Sequence, residues 1–302
     1  MDKEMLNTKE VAEYLNINEK LVYRLIKERR IPGTRVTGKW TFPKRLIDEW
    51  IIDSAKDNVG LRNKIKDLQN HVVLIGSNDF AIELLSHKLT DKFPEYTLSF
   101  SNVGSIEGLI ALSRGSCHVA GCHLLDPISG HYNTPYVAQY LPGMKVTVIN
   151  LVHRDIGLVV KSNNPQNITG IKDLGRQGLR IINRQKGSGT RLLLDHELQR
   201  LGIDADTLAG YDKEVNTHME VAMAVLSGAA DTGLAIFSAA RMLNLEFIQI
   251  TKERYDLIIP EDNLSAKPIQ ALLEVVRSST FKQSINEMGG YDTKDTGQTM
   301  GS

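Results

Sequence analysis

Cysteine, net charge and long hydrophobic runs are all scarce in this sequence, and each absence excludes a class of protein. Only two of the 302 residues are cysteine, which fits a reducing compartment and argues against a disulfide-stapled secreted domain. The 36 Lys and Arg are balanced by 36 Asp and Glu, so the whole chain is not a polycation that coats nucleic acid. No apolar run is long enough to span a bilayer, and the polar N-terminus lacks the apolar core of a signal peptide. We therefore expect a soluble, cytoplasmic protein of two or three domains.

The two cysteines lie next to histidines in the stretch SCHVAGCH, which contains Cys117, His118, Cys122 and His123. A structural zinc site usually needs a second pair of ligands elsewhere in the chain, and this chain has no further cysteines. Cysteine also serves as a small apolar residue in buried strands. We expect a strand here, and we expect the protein to bind neither a metal nor a cofactor.

The first fifty residues predict a helix-turn-helix followed by a small β-wing. Thr8 is placed as the N-cap of a first helix, KEVAEYL, and Asn16 to Asn18 form a tight turn before a second helix, EKLVYRLIKERR. The runs TRV and KWTF on either side of Thr37-Gly38 predict a hairpin. A closing helix is predicted to begin near Pro43.

The same segment concentrates positive charge within a neutral chain. Between Asn18 and Arg45 there are nine Lys or Arg and two Glu. Phosphate neutralisation supplies much of DNA affinity, and side chains of the second helix can reach base edges in the major groove. We therefore predict that double-stranded DNA is a partner. The candidate DNA-binding residues are Lys20, Tyr23, Arg24, Lys27, Arg30, Arg35, Lys39 and Trp40.

Residues 6–53 resemble the excisionase/MerR-like winged helix-turn-helix family. The resemblance rests on the pattern TKEVAEYL…VYRLIKERRIPGTRVTGKWTFPKRLIDEWI. It implies that Tyr23, Arg24 and Lys27 of the second helix contact DNA, together with Lys39 of the wing.

A charged segment without proline follows this region. We place the DNA-binding domain at residues 1–54, the linker at 55–71 and a ligand-binding domain at 72–302. Leu61, Ile65 and Leu68 fall at helical spacing, so the linker can pair with a second copy and form a homodimer. An unpaired, solvated linker explains the same spacing nearly as well.

From His71 onwards the sequence alternates strands and helices. HVVLIGS, YTLSFSNV and HVAGCHLL are predicted strands, and DFAIELLSHKL and SIEGLIALSRG are the helices between them. This order favours a parallel sheet with helices on both faces. A second set runs from LRIINRQ to AADTGLAIF, and the extended segments MKVTVINLVHRDIGLVV and FIQITKERYDLIIP join the two halves. The sequence predicts an α/β fold with two lobes, in which ligands bind where strand-to-helix loops converge.

The stretch NRQKGSGTR, Asn183 to Arg191, is the strongest candidate for a ligand-binding loop. Its glycines let the backbone approach a ligand, and the free N–H groups of a helix start form an anion site. Arg184 and Arg191 add charged donors suited to an oxyanion. The patterns GxxxxGK[ST] and GxGxxG are absent from it, so it is neither a P-loop nor a dinucleotide-binding loop. The alternative is a helix cap with incidental arginines.

Residues 72–296 resemble the type II periplasmic-binding-protein-like domains of cytoplasmic regulators and molybdenum-cofactor proteins. The matching pieces include GSNDFAIELL, GSIEGLIALSRG, VHRDIGLVV, NRQKGSGTRLLLD and GGYDTKDTG. Relatives that transport molybdate or tungstate hold the oxyanion with hydroxyls, backbone N–H groups and sometimes arginine. This implicates Ser77, Asn78, Ser105, Arg184, Ser188 and Thr190. Residues from the same and neighbouring loops complete the candidate ligand-binding set: His123, Arg154, Lys186, Gly187, Gly189, Arg191 and Asp231.

Together these patterns predict a one-component transcription regulator that binds DNA and senses a small anion in an interlobe cleft. The expected ligand is molybdate or tungstate. Because the additional Arg154 suits a larger anion equally well, an organic anion or a molybdenum-cofactor-related compound is the alternative. A cofactor-biosynthesis enzyme is a second interpretation, but the sequence shows no GxSxG motif and no nucleophile with an obvious base, so we expect no catalytic residues. A third is a DNA-binding protein whose second domain only mediates assembly.

Overall fold

The computed structural model describes residues 4–28, 31–35, 38–48, 50–51 and 70–300. The chain divides into two compact units, Met1–Asp67 and Leu68–Ser302. Residues 52–69 lie outside the described residues, and with them the predicted amphipathic helix of the linker. The domain boundaries at residues 54 and 71 stay predictions.

The first unit contains a helix-turn-helix and a three-stranded antiparallel sheet. Its elements are β1 Met5–Asn7, α1 Thr8–Tyr14, α2 Glu19–Lys27, β2 Thr34–Arg35 and β3 Trp40–Pro43, and residues 44–48 are helical. The strand order is β1-β3-β2, so the predicted wing is joined to an N-terminal strand that the sequence analysis missed. Apolar side chains of both helices and of β3, among them Val11, Val22 and Phe42, form the core.

Asn7, not Thr8, caps the first helix. The Asn7 side chain accepts a hydrogen bond from the Glu10 N–H, and the Glu10 carboxylate accepts one from the Asn7 N–H. This is a reciprocal capping box. Thr8 is the first helical residue and is buried. The prediction was one residue late because Asn and Thr are both good N-caps, and here they are adjacent.

The first lobe of the second unit begins with three parallel strands and their connecting helices. Its elements are β4 His71–Gly76, α3 Phe80–Lys92, β5 Thr97–Asn102, α4 Ser105–Ser113, β6 Val119–Cys122 and α5 Thr134–Tyr140. β4 pairs in parallel with both β5 and β6, as predicted. α3 and α4 contribute to two different apolar clusters, which places helices on both faces of the sheet.

Two long antiparallel strands join the lobes. β7 Val146–Val160 and β11 Glu246–Pro260 pair along their length, with Arg154 opposite Glu253 near the middle. In the first lobe β11 pairs with β6, and in the second lobe β7 pairs with β10 Thr232–Ile236. The two predicted extended segments therefore connect the lobes within one seven-stranded sheet.

The second lobe repeats the strand–helix pattern around its own apolar cluster. Besides β10 it contains β8 Asn183–Arg184, α6 Gly189–Leu201, β9 Glu214–Val215, α7 His218–Ser227 and α8 Phe237–Met242, with 3-10 turns at Ile171–Gly175 and Ala205–Thr207. β8 pairs in parallel with β9. A parallel bridge between Ile181 and Thr232 joins this pair to the start of β10.

The chain then returns to the first lobe. The remaining elements are α9 Glu261–Leu264, α10 Lys267–Arg277, α11 Ser279–Met288 and β12 Tyr291–Asp292. α10 and α11 pack in an apolar cluster of the first lobe. β12 pairs with β7 beside Arg154, and the segment after it continues along β7, where the Met300 N–H donates to the Val148 carbonyl over 2.8 Å. The last described residues thus lie against the strand that carries Arg154.

Gly157 of β7 leaves no room for a side chain. A Cβ atom there would overlap the Ile248 carbonyl oxygen of β11 and lie 2.7 Å from the Phe247 ring. We expect Gly157→Ala to lower the free energy of unfolding by about 1–3 kcal/mol, the usual cost of overpacking. Gly170→Ala is the matched control, because nothing lies within 4 Å of a Cβ at that position and its φ of 173° is extended. Urea unfolding of the full chain measures both variants. An unchanged midpoint for Gly157→Ala would contradict this close strand packing.

Candidate functional site

The loops that the sequence singled out lie at the carboxyl ends of parallel strands. In the first lobe they follow β4, β5 and β6, and in the second lobe they follow β8 and β9. Four helices, α3, α4, α6 and α7, begin at these loops. Helix N-termini carry free N–H groups and a positive dipole end. The start of α4 at Gly104 has no side-chain cap.

The loops of the two lobes are in direct contact. The Ile106 N–H donates to the Gly187 carbonyl over 3.3 Å, and the His218 N–H donates to Asn78 Oδ1 over 3.1 Å. Gly104 allows the first contact, because its φ is 100° and a Cβ there would lie 3.1 Å from the Gly187 oxygen. The cleft between the lobes is therefore closed at these loops, with the predicted residues Asn78 and Gly187 at the contact.

A buried arginine and two carboxylates lie at the base of the cleft. Arg154 Nε and Nη2 donate to Glu253 Oε2 over 3.1 and 3.0 Å, and Nη1 donates to Asp79 Oδ2 over 2.5 Å. Burial raises the pKa of Glu253, but positive charge on His123, when protonated, and on Arg154 outweighs it and lowers the pKa to about 2. Arg154 was predicted to bind the ligand, but its guanidinium is already held by protein carboxylates.

Arg184, at the end of β8, is buried without a carboxylate partner. Its Nη2 donates to the Asn216 carbonyl over 2.8 Å and its Nε donates to Gln185 Oε1 over 3.2 Å. Its Nη1 has no hydrogen-bond partner, and no ion pair involves Arg184 among the residues that the structure describes. Burial and the nearby charge of Arg154 lower the pKa of Arg184 to about 9, so it stays positive at pH 7.

Other polar atoms in the same loops are buried without hydrogen-bond partners. Within the described part of the second unit they include Nδ1 and Nε2 of His123, Nδ1 and Nε2 of His218, Nε2 of Gln185 and Oγ1 of Thr190. Burial lowers the pKa of both imidazoles, and the charges of Arg184 and Arg154 lower that of His218 further, so both are neutral at pH 7. Because buried polar atoms are normally hydrogen-bonded, this group marks a place that can take a polar ligand.

The predicted serine hydroxyls divide into two groups. Ser77 Oγ and Ser105 Oγ lie 2.9 Å apart, and Ser105 Oγ accepts a hydrogen bond from the His123 N–H over 3.1 Å. Both belong to the first-lobe loops, and because one hydroxyl donates to the other, one proton of the pair is left to donate to a ligand. Ser188 instead accepts from the Arg191 N–H and caps α6. Its hydroxyl has a structural task, which matches the helix-cap alternative for this one residue.

Two cations of the NRQKGSGTR stretch do not join Arg184 in the cleft. Arg191 Nε and Nη1 donate to Asp195 and Glu214, each over 3.0 Å. Lys186 is exposed, and its backbone N–H donates to Glu214 Oε2 over 3.3 Å. The expectation that Arg191 binds the ligand overlooked these acidic neighbours, which come from elsewhere on α6 and from β9.

Asp231 was also predicted at the site, but the structure places it at the opposite end of its strand. Asp231 precedes β10 and pairs with Arg180 over 3.0 Å. Ile181, next to Arg180, forms a parallel bridge with Thr232. The segment that leads into β8 and the strand β10 therefore both start here and run towards the cleft. The prediction treated a loop before a strand like a loop after one.

Three buried ionisable residues of the cleft were missed: Asp79, His218 and Glu253. Asp79 follows the predicted Ser77 and Asn78 directly, and His218 is the first residue of α7. Glu253 interrupts an extended segment opposite Arg154. A signal was present in each case, because a charged or polar residue at a helix start or strand centre near other candidates indicates a site. Their common location depended on pairing that the sequence did not specify.

The predicted recognition helix presents its basic side chains to solvent. Lys20, Tyr23, Arg24 and Lys27 of α2 are all exposed, whereas Val22 on the opposite face is fully buried. The i, i+3, i+4, i+7 spacing places the four on one face of the helix. This arrangement is the one that a helix entering the major groove requires.

The wing residues are placed less uniformly. Lys39 is exposed, and Arg35 is exposed with its Nε donating to the Gly38 carbonyl over 2.7 Å. Trp40 is half-buried and packs against the core of the first unit, so part of its role is structural. Arg30 lies outside the described residues.

The described residues contain no cluster of the kind that holds a metal ion, because no three of their His, Cys, Asp or Glu side chains are grouped as a metal site would need. Cys117 and Cys122 are buried free thiols that form no disulfide. The Cys122 thiol donates a weak hydrogen bond to the Ser105 carbonyl over 3.6 Å. In the same part of the chain, none of the helices combines the length and the hydrophobicity of a membrane span.

A helix-turn-helix unit and a two-lobed α/β unit with a polar cleft define a binding protein that carries a domain of DNA-binding type. Comparison with protein families agrees. The PBP superfamily domain, the superfamily of periplasmic-binding proteins, matches residues 86–277, more than half of the chain, and the protein belongs to this superfamily. The helix-turn-helix domain family matches residues 5–53. The predicted fold, an α/β protein with a small N-terminal helix-turn-helix and a two-lobed second domain, is confirmed.

Relatives of similar sequence include one that spans both units. The uncharacterized protein YvgK of Bacillus subtilis (strain 168) is 35% identical over 303 residues, which cover 96% of each chain. An uncharacterized protein from the 5′ region of a ferredoxin 2Fe-2S gene of Clostridium pasteurianum is 36% identical over 112 residues, covering 36% of this chain and 97% of that protein.

Solved structures of similar fold include two oxyanion-related transport proteins. A putative phosphate ABC transporter substrate-binding protein with bound phosphate, from Clostridium perfringens, has a TM-score of 0.55 at 15% identity, covering 72% of this chain and 98% of that one. The tungstate ABC transporter structure from Geobacter sulfurreducens has a TM-score of 0.53 at 16% identity, with the same two coverages. At such identities the likeness establishes the fold of the second unit.

Arg191 offers a stability test of its placement. Its bonds to Asp195 and Glu214 are largely buried at the arginine end, and hydrogen bonds to charged groups each contribute about 1.5–3 kcal/mol. We expect Arg191→Gln to lower the free energy of unfolding by about that amount. Arg180→Gln, which breaks an exposed pair with Asp231, should change it little. Denaturant unfolding compares the two. Equal effects would mean that Arg191 is not held as the structure shows.

Proposed function

We propose that this protein is a one-component transcription regulator, in which the first unit binds double-stranded DNA and the second binds a small anion that controls it. The helix-turn-helix match to residues 5–53 and the exposed basic face of α2 support DNA binding. The PBP superfamily match to residues 86–277 supports ligand binding, rather than catalysis, as the role of the second unit.

The unpaired guanidinium of Arg184 is the observation that supports an anionic ligand. A charged group buried in a protein is costly unless an opposite charge and hydrogen bonds accompany it. Arg184 has a free Nη1 and no carboxylate partner among the described residues. Helix N-termini at the surrounding loops add partial positive charge. An anion between the lobes satisfies the free donors and gives the Arg184 guanidinium a directly bonded negative partner.

Molybdate or tungstate is the first candidate for this anion. Arg184 with the hydroxyls of Ser77, Ser105 and Thr190 forms a set of donors suited to a tetrahedral oxyanion. The similar folds of a phosphate-binding and a tungstate-transport protein support the oxyanion class. An organic anion or a molybdenum-cofactor-related compound is the alternative candidate.

Ligand binding regulates DNA binding only as far as the anion prefers one state of the protein over another. The donors come from both lobes, with Ser77 and Ser105 on the first and Arg184 and Thr190 on the second. An anion that contacts both sets favours the closed cleft. Closing the cleft is therefore the step through which ligand occupancy reaches the DNA-binding unit in this proposal.

Arg184→Gln tests the anion site. Losing one charge-assisted hydrogen bond costs about 1.5–3 kcal/mol, so the dissociation constant should rise about ten- to a hundredfold. Calorimetric titration of the full chain with tungstate, molybdate, phosphate and a panel of organic anions measures it. The control is Lys186→Gln, an exposed cation two residues away, which should bind like the wild type. Equal affinities of Arg184→Gln and wild type for every anion would remove Arg184 from the site.

Arg24 and Lys39 should differ in their contributions to DNA recognition. If Arg24 reaches a base edge, Arg24→Ala weakens binding to an operator selected in vitro much more than binding to random DNA. Lys39→Ala weakens both alike and reduces the salt dependence by about one unit of slope. Arg114→Ala, an exposed arginine of the second unit, is the control for lost charge. Full operator affinity in Arg24→Ala would show that α2 is not the recognition helix.

A further inference from the structure

His123 is held so that its two ring nitrogens face different surroundings. Nδ1 lies 3.2 Å from Glu253 Oε2, and both side chains are buried. The ring stacks on Tyr255 with centroids 5.8 Å apart. The start of α6 packs against it so closely that a Cβ on Gly189 would lie 2.6 Å from Nδ1. These contacts leave the ring little freedom to turn.

The position of Glu253 decides where a neutral His123 carries its proton. A lone pair on Nδ1 would be repelled by the carboxylate, whereas an N–H there is attracted to it, although the contact lacks the alignment of a hydrogen bond. The proton therefore belongs on Nδ1. Nε2 is then a buried acceptor, and it has no hydrogen-bond partner. A ligand atom that contacts Nε2 must therefore donate to it, unless Nε2 itself becomes protonated.

The charges around His123 leave no surplus for a bare dianion. The two positive groups, Arg154 and Arg184, are matched by the two negative groups, Asp79 and Glu253. Glu220 adds a further negative influence on Arg184. His218, the other imidazole near these groups, is neutral at pH 7, and burial raises the pKa of the stacked Tyr255. A dianion would therefore add uncompensated negative charge to a buried site.

We propose that the cleft binds its anion together with one proton, which lies between His123 Nε2 and a ligand oxygen. The ligand is then either an anion that brings its own O–H, such as monobasic phosphate, or a dianion that binds with uptake of one proton from solution. Both routes lead to a complex with the same hydrogen bond. This inference rests on the proposed anion site and adds the proton to it.

Donor-free dianions give the direct test. Tungstate, molybdate and sulfate are titrated calorimetrically into the full chain at pH 8, in two buffers of different ionisation enthalpy. We expect uptake of about one proton per bound dianion, and an apparent affinity that falls about tenfold from pH 7 to 8, a range that stays below the pKa of about 9 of Arg184. Monobasic phosphate at pH 6 should bind with no net uptake. A donor-free dianion that binds at pH 8 without uptake overturns the inference.

The sign of the pH dependence follows from the two states of His123. In the free protein burial lowers the pKa of His123, although Glu253 opposes this, so the ring is neutral at pH 8. A bound dianion raises that pKa, because it stabilises the protonated ring. Uptake occurs between the free and bound pKa values, and affinity rises as the pH falls through the bound value.

Two matched variants assign the proton. His123→Gln should abolish uptake and flatten the pH dependence of dianion binding, because glutamine does not titrate. His218→Gln removes the neighbouring imidazole and should retain the uptake. Loss of uptake in His218→Gln alone, or its retention in both, overturns the assignment to His123. Should His123→Gln fail to fold, the wild-type proton count and the His218→Gln variant still decide.

The same titrations separate this inference from the proposed function. If none of these anions, and no organic anion of the panel, binds at millimolar concentration, the proposed anion site itself is wrong. If anions bind and Arg184→Gln weakens them, but no proton is taken up at pH 8, the site stands and only the shared proton is rejected.

Discussion

The pairing of the two buried guanidinium groups at the cleft, Arg154 and Arg184, is the constraint on which the site of the second unit depends, because carboxylates bond directly to only one of them. Arg154 is held by Glu253 and Asp79, while Arg184 is not paired with any described carboxylate. Because the two arginines interact, Arg154 helps to lower the pKa of Arg184 to about 9. A fully paired Arg184 would leave the cleft satisfied without a ligand. Its incomplete pairing is the observation on which the proposed anionic ligand rests.

Pairing Arg154 requires contributions from three distant parts of the chain. Glu253 stands opposite Arg154 on the neighbouring long strand. Asp79 caps α3 through the Ala81 N–H and also bonds Arg154, and Tyr291 of the C-terminal strand donates to the same carboxylate over 3.1 Å. The long strands, the first helix of the first lobe and the C-terminal segment therefore meet at one ion pair.

Local sequence patterns predicted most of the helices and strands, because hydrophobic periodicity, helix caps and turn residues act within a few residues of the chain. The helices around Val22 and Leu193, the parallel strands β4 to β6 and the two long extended segments were all expected from the sequence. Errors arose where tertiary pairing decides the outcome. Arg191 meets acidic partners from α6 and β9, and Asp231 precedes a strand instead of following one. His218 was missed because its contact with Asn78 joins residues 140 positions apart in the chain.

The zero net charge of the chain conceals two different uses of positive charge. On α2 the cations are exposed, where salt screens them over a Debye length of about 8 Å at physiological ionic strength. In the cleft Arg184 is buried, and buried charges are screened much less. In the proposed function, neutralisation of DNA phosphates by the exposed set would therefore depend strongly on salt, whereas anion recognition by the buried set would depend mainly on hydrogen-bond geometry and protonation. The proposal thus combines a salt-sensitive interaction with a polyanion and a salt-tolerant interaction with a small anion, so that each could respond to its own partner at one ionic strength.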